Sequence, residues 1–171
     1  VSGLPVTHFI AACNANDVVP VFMQTEHYTP KKAVATLSNA MDVGNPSNFI
    51  RILEIFQHKF ADLKNIFSSC SISDEETKET IKRVLEESNY LLDPHGAVGY
   101  LALEQYLQKH PEQKGMILET AHPVKFYDVV EPVTGKPVPI PETVQEQLKL
   151  EKKSTRIAAE GELLKRFLLG E

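Results

Sequence analysis

Apolar and polar residues follow one another in blocks along this chain, and the period of each block predicts an element. Val6–Cys13 is short and rich in β-branched and apolar residues, which predicts a buried strand. The polar run Asn14-Ala15-Asn16-Asp17 follows, and either asparagine is placed to cap a helix from about Val18 to Gln24. Glu26–Val34 carries Pro30 and Lys31-Lys32 and reads as an exposed loop. Phe49, Leu53, Phe56, Phe60, Leu63 and Phe67 then recur at spacings of four and three, so that one helix over Asn48–Phe67, capped by Ser47, is expected.

Further on, Ser73-Asp74-Glu75-Glu76 is a capping-box pattern with Ile72 placed to staple the entry. The helix it opens is expected to run to about Ser88 and to bury Ile81, Val84 and Leu85. Asp93-Pro94 starts another, to about Gln108, whose Ala97, Val98, Leu101 and Ala102 suit close packing on a sheet. Gly115–Ala121 reads as a second buried strand, and Pro123 opens a short helix to about Val130. From Glu131 the texture changes, with Pro132, Pro137, Pro139 and Pro141 close together, then amphipathic stretches near Glu142–Leu150 and Ala158–Leu168. The division expected is residues 1–131 as one domain and 132–171 as a helical appendage. Strands alternating with helices predict an α/β fold with a mainly parallel sheet, and ligands then gather beyond the carboxyl ends of the strands.

Three polar clusters fall in that zone: Asn14–Asp17, Thr120–His122 and the stretch Ala35–Asn48. The last mixes Ser38, Asn39, Asp42, Asn45, Ser47 and Asn48 with Leu37, Met41 and Val43, punctuated by Gly44 and Pro46. Two readings stand side by side, a packed structural loop and a loop with polar groups aimed at a ligand. The chain's 171 residues suffice for one domain with a substantial core. A net charge of −5 with no long basic run gives no footprint for nucleic acid, and no apolar run is long enough to span a membrane. Cys13 and Cys70 stand far apart, which argues against a disulfide framework or a zinc site and fits a reducing cytoplasm. The opening Val1-Ser2-Gly3-Leu4-Pro5 has no initiator Met and reads as a chain cut at a helix-to-strand turn.

Each candidate for chemistry has a plain structural alternative. The Thr120 hydroxyl, at a strand's carboxyl end, suits a hydrogen bond to a ligand or to a nearby backbone group. His122 and Lys125 flank Pro123 at a helix start, where main-chain N–H groups suit an anion; a capping histidine and a solvated lysine are the alternatives. Asp42 suits a base or a ligand-orienting group, and equally a turn. His95, just inside its helix, reads as structural. The histidines lack ligand spacing, so no metal site is assigned, and there is no G-x-S-x-G, P-loop or dinucleotide fingerprint. The residues by themselves stop at an α/β domain with one polar cleft.

Four blocks go further. Phe9–Phe22, FIAACNANDVVPVF; Ala35–Phe56, ATLSNAMDVGNPSNFIRILEIF; Asp93–Leu103, DPHGAVGYLAL; and Glu119–Phe126, ETAHPVKF, resemble successive blocks of the bacterial and fungal threonine synthases. The resemblance runs from Leu4 to Phe126 in order, and SNAMDVGNPSN and TAHPVKF are its specific motifs; the appendage matches in kind more than in detail. It implies part of a three-layer α/β sandwich of the tryptophan-synthase-β-like type. It also implies a pyridoxal 5'-phosphate enzyme that converts O-phospho-L-homoserine and water into L-threonine and phosphate, acting as a cytoplasmic monomer.

Residue by residue, Thr120 matches the hydroxyl that hydrogen-bonds the cofactor's pyridine nitrogen. Ser38, Asn39 and Asp42 match the loop bordering the substrate, and His122 and Lys125 belong to the Thr120 block. The family's Schiff-base lysine and its glycine-rich phosphate loop belong to motifs upstream of this region, so no catalytic residue is assigned here. The chain is therefore expected to be the C-terminal part of such an enzyme, inactive alone, with an apolar sheet edge exposed. Two alternatives remain: a related phospho-lyase acting on another phosphorylated hydroxy-amine, and a non-catalytic binding module.

Overall fold

The computed structural model describes residues 3–170. Val1 and Ser2, part of the opening read above as a cut end, lie outside the described residues. The chain divides into two compact units between Val138 and Pro139.

The first unit begins with strand β1, Phe9–Cys13, and helix α1, Val18–Thr25. Helices α2, Phe49–Ile55, and α3, Phe60–Ile66, lead directly into strand β2, Phe67–Ser71. Helices α4, Asp74–Ser88, α5, Pro94–Lys109, and α6, Tyr127–Thr134, complete it. Strands β1 and β2 pair in parallel, with Phe9 opposite Phe67 and Cys13 opposite Ser71. Helices α1 and α3 pack against the pair, and α5 lies against β1. The expected α/β architecture with a parallel sheet is thus present.

Two of the expected elements are built differently. The apolar stripe of residues 49–67 is real: Phe49, Leu63 and Phe67 are buried in one cluster with Val19, Phe22 and Met23, and Leu53, Phe56 and Phe60 pack on it. Phe22 meets Phe49 and Phe60 edge to face at 5.2 and 5.6 Å. The backbone beneath the stripe is not one helix, because Gln57 and His58 both take left-handed φ values, of 51° and 56°. The break redirects the chain so that Phe67 leaves the helix and enters β2, in register with β1. Ser47 does not cap this region; Asn48 precedes α2 without a side-chain cap bond. Asp17 stands before α1, likewise without one, and Asn14 and Asn16 spend their side chains elsewhere.

The second difference concerns the strand itself. Phe67–Ser71, FSSCS, has little apolar content, yet its hydroxyls tie it to its surroundings. Ser69 Oγ donates to Ala11 O at 2.7 Å and Ser71 Oγ to Asn14 O at 2.7 Å. Gly115–Ala121, read as a strand, is irregular, and Met116 and Leu118 are 79% and 82% exposed. Its apolar residues suit a strand, but among the described residues no neighbour supplies the backbone partners that a strand requires.

Both helix-start signals hold. Ser73 accepts from Glu76 N–H while the Glu76 carboxylate accepts from Ser73 N–H, so the capping box closes. Asp93 caps α5 with Pro94 in its first turn. Ile81 and Val84 are buried as expected, with Leu85 only half-buried; they pack with Leu92 and Ala97 in a second cluster that Val133 of α6 joins. Burying each such side chain contributes about 1.5–3 kcal/mol. Arg83 of α4 forks onto both carboxylate oxygens of Glu104 of α5, at 2.9 and 2.7 Å.

The second unit holds helices α7, Glu142–Leu148, and α8, Gly161–Leu169. No helix among the described residues is long and apolar enough to cross a membrane.

Candidate functional site

At the end of β1 the backbone delivers Asn14, buried to 2% exposure, into the loop that follows α1. Its Nδ2 lies 2.9 Å from Asp42 Oδ1, 2.8 Å from Thr36 Oγ1 and 3.1 Å from Ser38 Oγ, and donates among them. Its Oδ1 accepts from both the backbone and side-chain nitrogens of Asn16, at 2.9 Å each. Asn16 in turn clasps Val34, its Nδ2 donating to Val34 O at 3.0 Å and its Oδ1 accepting from Val34 N–H at 2.9 Å.

Asp42 closes the network. Its Oδ1 also accepts from Thr36 Oγ1 at 2.7 Å and Asn16 Nδ2 at 3.1 Å, while Oδ2 accepts from Thr36 N–H at 3.0 Å. The carboxylate therefore holds the loop around itself. The fit is close elsewhere too: a Cβ on Gly44 would stand 1.9 Å from Lys31 O, beside the 2.9 Å bond from Lys31 N–H to Gly44 O.

Between Ser38 and Asp42 the chain arches through a short 3-10 turn, Asn39–Met41. Asn39 and Ala40 are exposed there. Ala40 N–H donates to His95 Nε2 at 3.1 Å, and His95 Nδ1 lies 2.6 Å from Asp93 Oδ1. Asp93 is fully buried and also accepts from His95 N–H at 2.8 Å. Burial pushes its carboxyl up, but the hydrogen bonds it accepts from the His95 ring and backbone outweigh this and hold it below the usual carboxylate value.

A cleft of about 1190 Å³ opens beside this arch. Its walls are β1 with the residues leading into it, the near side of α5 and the 113–121 segment. Thr120, Lys125, Ala40, Met41, His95 and Phe126 all reach it. Thr120 is exposed, and its hydroxyl is free of any hydrogen bond among the described residues. Just before it, Glu119 accepts from Tyr90 Oη at 2.7 Å, and its other oxygen is buried without a partner against Gly96, where a Cβ would stand 2.5 Å away.

The structure thus sorts the residues singled out by sequence. Ser38 and Asp42 sit inside the network, Asn39 stands exposed on the arch, and Thr120 and Lys125 line the cleft. His122 does not line it: its Nδ1 accepts from Val124 N–H at 3.1 Å, capping the 3-10 turn Pro123–Phe126. The clusters Asn14–Asp17 and Ala35–Asn48 meet. Thr36 and the bond from Ala40 to His95 were missed; the latter joins residues 55 apart, and no local pattern announces it.

Comparison with known proteins agrees on one family. A family profile described as "Threonine synthase, C-terminal" matches residues 96–168. The threonine synthase of Serratia marcescens is 43% identical over 168 residues, and that of Escherichia coli 40% identical over 167. Each alignment takes in 98% of this chain, which spans only 38% of the length of those relatives. The crystal structure of the Escherichia coli threonine synthase superposes with a TM-score of 0.83 at 39% identity, covering 98% of this chain and 38% of that one. A PLP-bound threonine synthase of Brucella melitensis superposes with a TM-score of 0.80 at 25% identity, covering 97% of this chain and 40% of that one. The chain belongs to the threonine synthase family and corresponds to the C-terminal part of that family's polypeptide.

Proposed function

We propose that the polypeptide to which this chain belongs converts O-phospho-L-homoserine and water into L-threonine and phosphate with pyridoxal phosphate. The observation that carries this reading is the free hydroxyl of Thr120 on the wall of a cleft wide enough for a small cofactor and its substrate. A residue already bonded within the chain would not fit the role of a ring-nitrogen partner; Thr120 fits it. Bound pyridoxal phosphate supplies a sink for negative charge developing on the substrate's carbon atoms. The chain's own share is positioning. Thr120 offers the ring nitrogen a neutral partner, Asn39 presents an uncommitted amide on the arch, and Ser38 and Asp42 hold that arch in place. His122 fixes the turn that sets Lys125 toward the cleft.

Two features support inactivity of the 171 residues alone. No lysine here lies in the family's cofactor-binding motif, and the cleft is flanked by exposed Phe9, Met116 and Leu118, at 49%, 79% and 82% exposure. We read that apolar surface as the seat of the family's remaining polypeptide.

The test joins this chain to the N-terminal part of the Serratia relative and measures threonine released from O-phosphohomoserine, with O-phosphoserine as competitor. Threonine formation by the joined protein, its loss in Thr120→Val and silence of the isolated chain are expected. Turnover of O-phosphoserine alone would establish the related phospho-lyase instead. Threonine made by the 171 residues unaided would overturn the assignment of roles.

A further inference from the structure

We infer that His95 is a positioning residue of the cleft, fixing the arch Asn39–Met41 at the height where it meets substrate. The inference about substrate rests on the function proposed above; the inference about the arch stands on geometry.

Three segments distant in sequence converge on this one ring. Asp93, buried at the head of α5, accepts from His95 Nδ1–H at 2.6 Å, which leaves Nε2 as the acceptor of the ring. Ala40 N–H donates to Nε2 at 3.1 Å. Phe126, the last residue of the Thr120 block, packs on the ring at 4.6 Å between centroids. The side chain is only 13% exposed and borders the cleft.

The flanks of the arch are already fixed, at Ser38 by Asn14 and at Asp42 by Thr36 and Asn16. Within the arch, Met41 N–H donates to Ser38 O and Asp42 N–H to Asn39 O, bonds that shape the turn without fixing its height. Among the described residues, His95 is the side chain from outside the loop that bonds the arch itself. Ala40 and Met41 line the same cleft as Thr120, so the height of the arch sets the distance between the loop and the group that Thr120 would hold. A cap serving α5 alone needs Asp93, with no demand on Nε2. The bond from Nε2 to a loop 55 residues away is what a positioning role adds.

The tests separate ring packing from the hydrogen bond. His95→Phe keeps a ring against Phe126 and deletes the acceptor; His95→Gln restores an acceptor within reach of Ala40. In the 171-residue chain, exchange of the Ala40 amide is expected to accelerate about tenfold in His95→Phe and to recover partly in His95→Gln, with α5 amides unchanged. Imidazole nitrogen shifts of the unaltered chain, which need no substitution, are expected to show the proton on Nδ1.

In the joined protein, KM for O-phosphohomoserine is expected to rise about tenfold in His95→Phe, more than kcat falls, with partial rescue by Gln. A proton on Nε2, unaltered Ala40 exchange in His95→Phe, or faster exchange with unaltered KM would each overturn the inference. A joined protein that makes no threonine defeats the functional reading, while the exchange and nitrogen-shift results still decide the role of His95 in the arch.

Discussion

Asn14→Asp exchanges one buried amide for a carboxylate of nearly the same shape, at the point where β1 hands the chain to the loop network. The Nδ2 group it removes is 2.9 Å from Asp42 Oδ1 and 2.8 Å from Thr36 Oγ1. Losing a hydrogen bond to an ionised acceptor costs about 1.5–3 kcal/mol, and one to a hydroxyl about 1 kcal/mol. The new carboxylate also faces that of Asp42 at hydrogen-bond distance, so one of the two must take up a proton or swing away. The expected loss is about 3–5 kcal/mol, the range for a buried charge left without its partner and a large share of a domain's usual 5–15 kcal/mol.

Asp42→Asn keeps an acceptor oxygen but turns one N–H toward existing donors, for an expected loss of about 1–3 kcal/mol. The double variant Asn14→Asp with Asp42→Asn returns a donor opposite a carboxylate and is expected to recover about 1–2 kcal/mol relative to the sum of the singles. Urea unfolding followed by far-ultraviolet circular dichroism and tyrosine fluorescence measures all four proteins, the chain having no Trp. Strict additivity, or an Asn14→Asp protein within about 0.5 kcal/mol of the parent, would refute the network as the support of the loop.

Gly44→Ala places a Cβ 1.9 Å from Lys31 O, and the expected cost of about 1–3 kcal/mol should show as a lower melting temperature with faster exchange of the Lys31 amide. Ser73→Ala removes the capping box of α4 and should lower stability by about 1 kcal/mol in urea titrations, with exchange rising first in residues 74–77. His8, stacked on Tyr106 at 4.7 Å, is held below the ordinary histidine value by burial and by nearby His110. The unfolded chain therefore takes up this proton first, so stability is full above about pH 6.5 and is lost as pH falls through the lowered folded value. His8→Phe, keeping the stack, should flatten that slope in melts taken between pH 5 and 8.

Local signals in the sequence were read well wherever local physics decided the outcome. The capping box at Ser73 and the Asp93-Pro94 start depend on residues within one turn of each other, and both hold in the structure. The stripe from Phe49 to Phe67 identified the buried side chains but not the path of the backbone. Two short helices and a left-handed corner satisfy the same spacing, and pairing with β1 chose between the solutions. Ser68-Ser69-Cys70-Ser71 lacked the apolar alternation that marks a strand because its hydroxyls, more than its burial, tie it in place. At the site, the clusters Asn14–Asp17 and Ala35–Asn48 were legible as polar punctuation, yet nothing local showed that they bond to each other. Gly115–Ala121 illustrates the converse: a sequence suited to a strand forms one only beside a partner backbone.

The parallel pairing of β1 with β2 also has a consequence in time. Ser69 and Ala11, which bond across it, are 58 residues apart, and closing a loop of that length costs about 3–4 kcal/mol of chain entropy before the pair returns any of it. During synthesis β1 leaves the ribosome before β2 and waits for it while helices α1 to α3 are made. At about 5–20 residues per second that wait lasts several seconds, far longer than helix formation. The aromatic cluster around Phe22 and Phe49 can assemble within that interval and bring the strand ends together. Substitutions there should therefore slow folding, while those in the capping box of α4 should chiefly hasten unfolding.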